Sequence, residues 1–157
     1  MSPIRVLLAD DHTVVRAGLR NALEVLPNLE ILGEVGNGHD LMEALARIRP
    51  DLLVMDVSMP DFEPISAVQK IKSEYPNIKI LIVSAYDDES YVVGLLRAGA
   101  NGYHMKDQPL ADLQLAAQRI LSGERWISGS LIDRLTNRHP ASSLPNTPWL
   151  TRRQREL

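Results

Sequence analysis

The chain has 157 residues, 45% of them hydrophobic and 24% charged, with a net charge of −3; this balance fits a globular domain with a sizeable buried core. It holds no cysteine, which excludes disulfides and thiolate metal sites and is compatible with a reducing compartment. No apolar run approaches membrane-spanning length, and Met1–Ala9 runs straight into Asp10-Asp11-His12, unlike a signal peptide, so a cytoplasmic protein with no membrane contact is expected.

The charge is uneven. Residues 1–122 carry 11 basic against 17 acidic side chains, and residues 123–157 carry 6 against 3. The body therefore lacks the basic footprint of a nucleic-acid surface, while the tail leans basic.

In chain order, Ile4–Ala9 reads as a strand that stops at the two aspartates. Val15, Leu19, Leu23 and Leu26 then stripe a helix ended by Pro27-Asn28. Leu29–Val35 reads as a second strand, closed by Gly36-Asn37-Gly38, a turn of residues that tolerate positive φ. Leu41, Leu45 and Ile48 mark a second helix, stopped at Pro50. Leu52-Leu53-Val54-Met55 is apolar throughout, as expected of a short strand buried on both faces, and it ends on Asp56. Ile65, Val68 and Ile71 stripe a third helix, and Lys79–Val83 is the most strand-like run, followed by Ser84-Ala85-Tyr86-Asp87-Asp88. Tyr91, Val92, Leu95 and Leu96 give a fourth helix with Gly99 suited to its C-cap. A fifth strand, about Gly102 to Met105, leads to Lys106-Asp107. Leu110, Leu113, Ala117, Ile120 and Leu121 stripe a fifth helix ended by Gly123.

Five strand–helix pairs with short connections require a parallel sheet covered by helices on both faces. Beyond Gly123 the pattern changes. Ser128–Arg138 suits a short helix, and His139–Pro148 reads as a linker rich in Pro, Ser and Asn. Thr151 is a plausible N-cap with Gln154 at the reciprocal capping-box position, so Trp149–Leu157 is expected to open the first helix of a second domain.

Asp10 and Asp11, Asp56, Ser84 and Lys106 all fall just after their strands, hence on one edge of the sheet. In the common strand order 2-1-3-4-5 the first and third strands are neighbours, with the topological switch point between them, and three acids converge there. Two carboxylates ~4 Å apart repel by about 4 kcal/mol at an effective dielectric near 20, so the cluster needs a cation or must hold protons. A hard divalent ion fits, and Mg2+ is the natural choice; without cysteine or paired histidines, zinc is poorly supported. An acid pocket with Mg2+, a hydroxyl, an ammonium and a nucleophilic carboxylate is equipped to form an aspartyl phosphate. His12, beside the acids, reads as a solvated loop residue.

The set Ala9-Asp10-Asp11-His12, Met55-Asp56-Val57-Ser58-Met59-Pro60, Ser84-Ala85-Tyr86-Asp87-Asp88 and Gly102-Tyr103-His104-Met105-Lys106-Asp107 resembles the receiver domain of two-component response regulators. It looks most like the NarL/FixJ subfamily, whose output module is a LuxR-type helix-turn-helix. The resemblance covers residues 4–122 and continues weakly through Gly123–Ser128, which is similar to the subfamily's connector.

This resemblance implies a flavodoxin-like fold with five strands in order 2-1-3-4-5. It implies a receiver over residues 1–122, a connector and linker over 123–149, and the start of a DNA-binding domain over 150–157. Asp56 is then the phosphoryl acceptor from a phosphohistidine on a sensor histidine kinase. Asp11, Asp56 and the backbone carbonyl of Ser58 bind Mg2+, with Asp10 assisting. Lys106 pairs with the phosphoryl group, Ser84 moves to hydrogen-bond it, and Tyr103 is the aromatic switch that turns inward with it. Independently of the resemblance, Trp126 reads as a packing anchor for the connector. The chain is expected to catalyse only its own phosphoryl transfer and loss, to dimerise when phosphorylated, and to reach promoter DNA through its output domain.

Departures from the family pattern are Pro64, where glycine commonly opens the third helix, and His104, at a usually aliphatic position, expected to alter the surface around the fourth helix. Ser58 and Tyr86 occupy the two positions that tune acyl-phosphate hydrolysis, and neither offers a carboxylate or amide to orient water; a phosphoryl lifetime above a few minutes is expected. The rivals are a stand-alone receiver acting by protein contact and an aspartyl-nucleophile phosphatase. The adjacent pair Asp10-Asp11 does not match the Asp-x-Asp of haloacid dehalogenase-type phosphatases. A flavin-binding protein is disfavoured by acids where an FMN phosphate needs donors.

Overall fold

A computed structural model describes residues 2–85 and 88–128. The expected helix over 128–138, the linker, the opening of a second domain and Tyr86 therefore lie outside the described residues, apart from Ser128 itself.

The elements alternate: β1 (Ile4–Ala9), α1 (Thr13–Glu24), β2 (Leu29–Val35), α2 (Gly38–Ile48), β3 (Leu52–Met55), α3 (Pro64–Glu74), β4 (Lys79–Ser84), α4 (Glu89–Ala98), β5 (Gly102–Met105), α5 (Leu110–Leu121) and β6 (Trp126–Ile127). All strand pairs are parallel, and the sheet order is β2-β1-β3-β4-β5-β6. This is the flavodoxin-like fold in the expected 2-1-3-4-5 order, with one strand more than the sequence pattern indicates.

Strand alternation sorts the core into two layers. Leu7 and Ala9, Leu53 and Met55, Ile80 and Ile82, and Tyr103 and Met105 pack with α2, α3 and α4. Val6 and Leu8, Leu52 and Val54, and Leu81 and Val83 pack with α1 and α5. Each leucine, valine or isoleucine removed from water this way contributes roughly 1.5–3 kcal/mol, which explains why β3, covered on both faces, is apolar throughout.

Local chemistry sets the helix ends. Asn37 caps α2, its side chain accepting from the Asp40 N–H, and Asp88 caps α4 through the Tyr91 N–H. Pro64 occupies the first turn of α3, where no N–H is missed, and Glu63 before it accepts from the N–H groups of Ile65 and Ser66. Gly99 (φ 125°) and Gly123 (φ 99°) end α4 and α5 in the conformation glycine favours.

Two expectations are corrected. Gly36, Asn37 and Gly38 do not use positive φ; among the described residues that conformation occurs at Asn28, Arg49, Asp61, Gly99 and Gly123. Gly38 is small for another reason. Its N–H donates to the Pro60 carbonyl at 2.9 Å, and a Cβ there would overlap the backbone of Asp61. The second correction is β6. Trp126 and Ile127 pair with Gly102 and Tyr103, so the stretch expected to begin a connector closes the exposed edge of β5. A side chain at Gly102 would collide with Ile120 and with the Trp126 carbonyl. Trp126 is buried in the α1/α5 layer, as a packing anchor should be.

Candidate functional site

The sheet ladder runs one residue past the strands and fixes the backbone of the site. The Asp10 N–H donates to the Val35 carbonyl at 2.9 Å, Asp56 to Ala9 at 2.8 Å and Lys106 to Ser84 at 2.8 Å. Asp10, Asp56 and Lys106 therefore leave from the carboxyl ends of β1, β3 and β5 at one edge of the sheet, with Asp10 and Asp56 flanking the β1/β3 switch point where open α/β sheets bind ligands.

Their side chains meet. Lys106 Nζ lies 3.3 Å from Asp10 Oδ2 and 3.3 Å from Asp56 Oδ1. Asp10, Asp11, His12 and Asp56 each offer a ligand atom, all within 4.8 Å of one another. Asp10 and Asp56 are buried, whereas Asp11 keeps 30% of its side chain exposed at the rim. His12 is 61% exposed, as a loop residue should be, yet its Nδ1 stands 3.1 Å from Asp11 Oδ1 and 3.4 Å from Asp10 Oδ1.

Burial pushes the Asp56 carboxyl above the usual aspartate range; Lys106 opposes that shift and Asp10 adds to it. Asp10 Oδ2 and Asp56 Oδ2 are buried and accept no hydrogen bond among the described residues. Two buried carboxylates sharing one ammonium, with a third carboxylate at the rim, suit a hard cation with oxygen preference. The donor set fits a divalent metal.

Ser84 ends β4 fully buried, and its side chain is hydrogen-bonded to that of Tyr103. Tyr103 is itself fully buried; burial pushes its hydroxyl up to about 12, eased by the Ser84 contact. The aromatic ring is thus already inside, paired with the hydroxyl it was expected to follow. Ser58 is exposed in the loop after β3 and lines an open groove with Phe62, Pro64 and Tyr91.

His104 is corrected. Its side chain does not reach the α4 surface; it alternates to the other face and lines a cleft with Val15 and Leu19 of α1 and Leu110 of α5. Arg16 escaped the sequence pattern altogether. Its Nη1 donates to the Asp10 carbonyl at 2.7 Å and its Nε to Glu34 Oε1 at 2.8 Å, with Arg20 on the other Glu34 oxygen at 2.6 Å. Glu34 loses some solvation there, but these bonds hold its carboxyl below the usual range. Arg16 thereby braces the loop carrying the acids from one face of α1. A lone arginine in a first helical turn carries no sequence signal of that kind.

A doubly wound parallel sheet with acids after its first and third strands and a lysine after its fifth defines a class of signalling receiver. Residues 6–118 match the response regulator receiver domain family. The oxygen regulatory protein NreC of Staphylococcus haemolyticus is 34% identical over 160 residues, covering 98% of this chain and 74% of NreC. A LuxR-family two-component response regulator from Aurantimonas sp. superposes with a TM-score of 0.82 at 28% identity, covering 87% of this chain and 98% of that one. The isolated receiver domain of RcsB from Salmonella enterica serovar Typhimurium, determined with the phosphomimetic BeF3−, gives 0.79 at 25% identity, covering 85% and 99%. The chain belongs to the response regulator receiver family and is of the NarL/FixJ type.

Proposed function

We propose that Asp56 is the phosphoryl acceptor of a two-component phosphorelay and that its modification controls a C-terminal DNA-binding output. The observation that carries this reading is one ammonium, Lys106, standing between two buried carboxylates, Asp10 and Asp56, at the switch point.

In the reaction, a carboxylate oxygen of Asp56 attacks the phosphorus of a phosphohistidine on a sensor histidine kinase. The P–O bond forms as the P–N bond breaks, and the leaving imidazole nitrogen keeps the electron pair and takes a proton. Asp56 must be ionised to attack. Lys106 keeps it so against burial and pairs with the phosphoryl oxygens as charge develops on them. Asp10, Asp11, Asp56 and the Ser58 carbonyl would hold Mg2+, which neutralises phosphoryl charge when bound. Ser84 would exchange its Tyr103 partner for a phosphoryl oxygen, a differential contact between two states that suffices to shift a switch.

On this reading residues 1–122 are the receiver, 123–149 the connector and 150–157 the start of a helix-turn-helix domain. The protein works in the cytoplasm, dimerises when phosphorylated and reads paired half-sites in promoter DNA. It turns over no substrate beyond its own acyl phosphate. The test is labelling with acetyl phosphate and Mg2+, comparing the natural chain with Asp56→Asn and reading oligomeric state alongside. Label on the natural chain alone supports the reading; equal label on both overturns it.

A further inference from the structure

Arg16 keeps only 20% of its side chain exposed, and its guanidinium is held along two edges. Nη1 donates to the Asp10 carbonyl at 2.7 Å and reaches the Val35 carbonyl at 3.5 Å. Nε donates to Glu34 Oε1 at 2.8 Å. Arg20 holds the other Glu34 oxygen at 2.6 Å, so the carboxylate that aims the fork is itself anchored. A planar fork fixed in this way presents its remaining donors in one direction.

The carbonyl it holds belongs to the peptide joining Asp10 to Asp11. A peptide is planar, so fixing its oxygen sets the direction in which Asp11 leaves Asp10. The turn after β2 packs over this contact: a Cβ at Gly36 would lie 3.4 Å from Arg16 Nη1 and 3.5 Å from Asp11 Cα. Helix α1 starts at Thr13 without a side-chain cap from His12, so it does little to hold the acids in front of it. Asp10, Asp11 and Asp56 each bring a carboxylate oxygen within 4.8 Å of the others, and like charges that close push the segment apart. Something must hold the acids in place before a cation arrives.

We infer that Arg16 is a positioning residue for the acid pocket, its guanidinium fixing the Asp10–Asp11 peptide so that both carboxylates face Mg2+ in advance. The inference rests on the reading of that pocket as a Mg2+ site. Groups that orient metal ligands from behind typically change affinity by roughly 10–100-fold when removed. The sign of the effect separates position from field. A positive charge beside a cation site repels the cation, so charge alone predicts that neutralising Arg16 tightens Mg2+. Positioning predicts the reverse.

The test uses the full chain, with Mg2+ binding followed by the amide NMR shifts of Asp56 and Ser84. Arg16→Gln should bind Mg2+ at least tenfold more weakly than the natural chain. Arg16→Lys, which keeps the charge without the fork, should bind at least threefold more weakly. Ala22→Gly weakens α1 away from the acids and should lower Tm while leaving Mg2+ affinity unchanged. A second readout needs no metal. The His12 N–H donates to Asp10 Oδ1 at 2.8 Å, and its hydrogen exchange in EDTA should quicken at least fivefold in Arg16→Gln but not in Ala22→Gly. Unchanged or tighter Mg2+ binding by Arg16→Gln, natural affinity in Arg16→Lys, an equal loss of affinity in Ala22→Gly, or unchanged His12 exchange each overturn the inference alone. A natural chain that binds no Mg2+ overturns the metal reading and the inference with it.

Discussion

The Lys106 ammonium stands 3.3 Å from the Asp56 carboxylate and equally far from Asp10, so a single partly exposed cation serves two buried acids. Removing it strands both. Lys106→Ala is expected to lower stability at pH 7 by roughly 1–3 kcal/mol. Without the amine the Asp56 carboxyl, already raised by burial and held down by Lys106, keeps its proton more tightly, so the loss should shrink as pH falls. Urea melts at pH 7 and pH 5 check this; an equal loss at both would show that the ammonium does not stabilise the carboxylates.

Asp56 carries a carboxyl raised by burial. A raised group favours folding fully below its unfolded value and loses that contribution as pH climbs through the folded value. At neutral pH the ionised side chain therefore weakens the fold. Asp56→Asn should be more stable at pH 7 by about 1 kcal/mol, on the order of 3 °C in Tm, with the gap closing in acid. A destabilised variant at pH 7 would contradict the burial argument.

Mg2+ should stabilise the natural chain by about 1.4 kcal/mol once tenfold above its Kd, because the unfolded chain lacks the clustered oxygens. Asp11 is at the rim, partly exposed, so Asp11→Ala should fold normally yet lose most of that gain. Thermal melts with Mg2+ and with EDTA measure both. A Mg2+ effect unchanged in the variant would remove Asp11 from the ligand set.

Gly38→Ala forces a methyl group into the Asp61 backbone, and Asp61 already sits at φ 54°. The loop after β3 must move, at an expected cost of roughly 2–4 kcal/mol. Since that loop carries Ser58, Mg2+ affinity should fall too. Calorimetry with and without the metal separates the two effects, and unchanged affinity would mean the displacement stops short of Ser58.

Phosphoryl lifetime depends on who orients the hydrolytic water. Ser58 is exposed beside the acids and brings only a hydroxyl. Loss of label from phosphorylated protein should take longer than a few minutes; a half-life of seconds refutes this.

Much of this was written in the strands. Leu52–Met55 has no polar residue because both faces are covered, and the carboxylate that ends the run can only be at the sheet's rim. The same logic brought Asp10, Ser84 and Lys106 together, since parallel strands end on one edge. What escaped notice was set by proximity rather than pattern. A two-residue strand such as Trp126-Ile127 is too short to show alternation. Gly38 looked like a turn glycine, because sequence cannot reveal that Asp61 arrives there. His104 followed the alternation of β5 to the α1/α5 side, but a four-residue strand flanked by glycine gave little to fix its register in advance.

Ser128 gives the added strand its mechanical meaning. Its N–H donates to the Tyr103 carbonyl at 3.1 Å, and its Oγ accepts from the Met105 N–H at 3.1 Å. The last described residue is thus stapled across His104 to the two neighbours that flank it. These two bonds tie the peptide of the tyrosine directly to the end of the added strand, so any displacement of that peptide must stretch them.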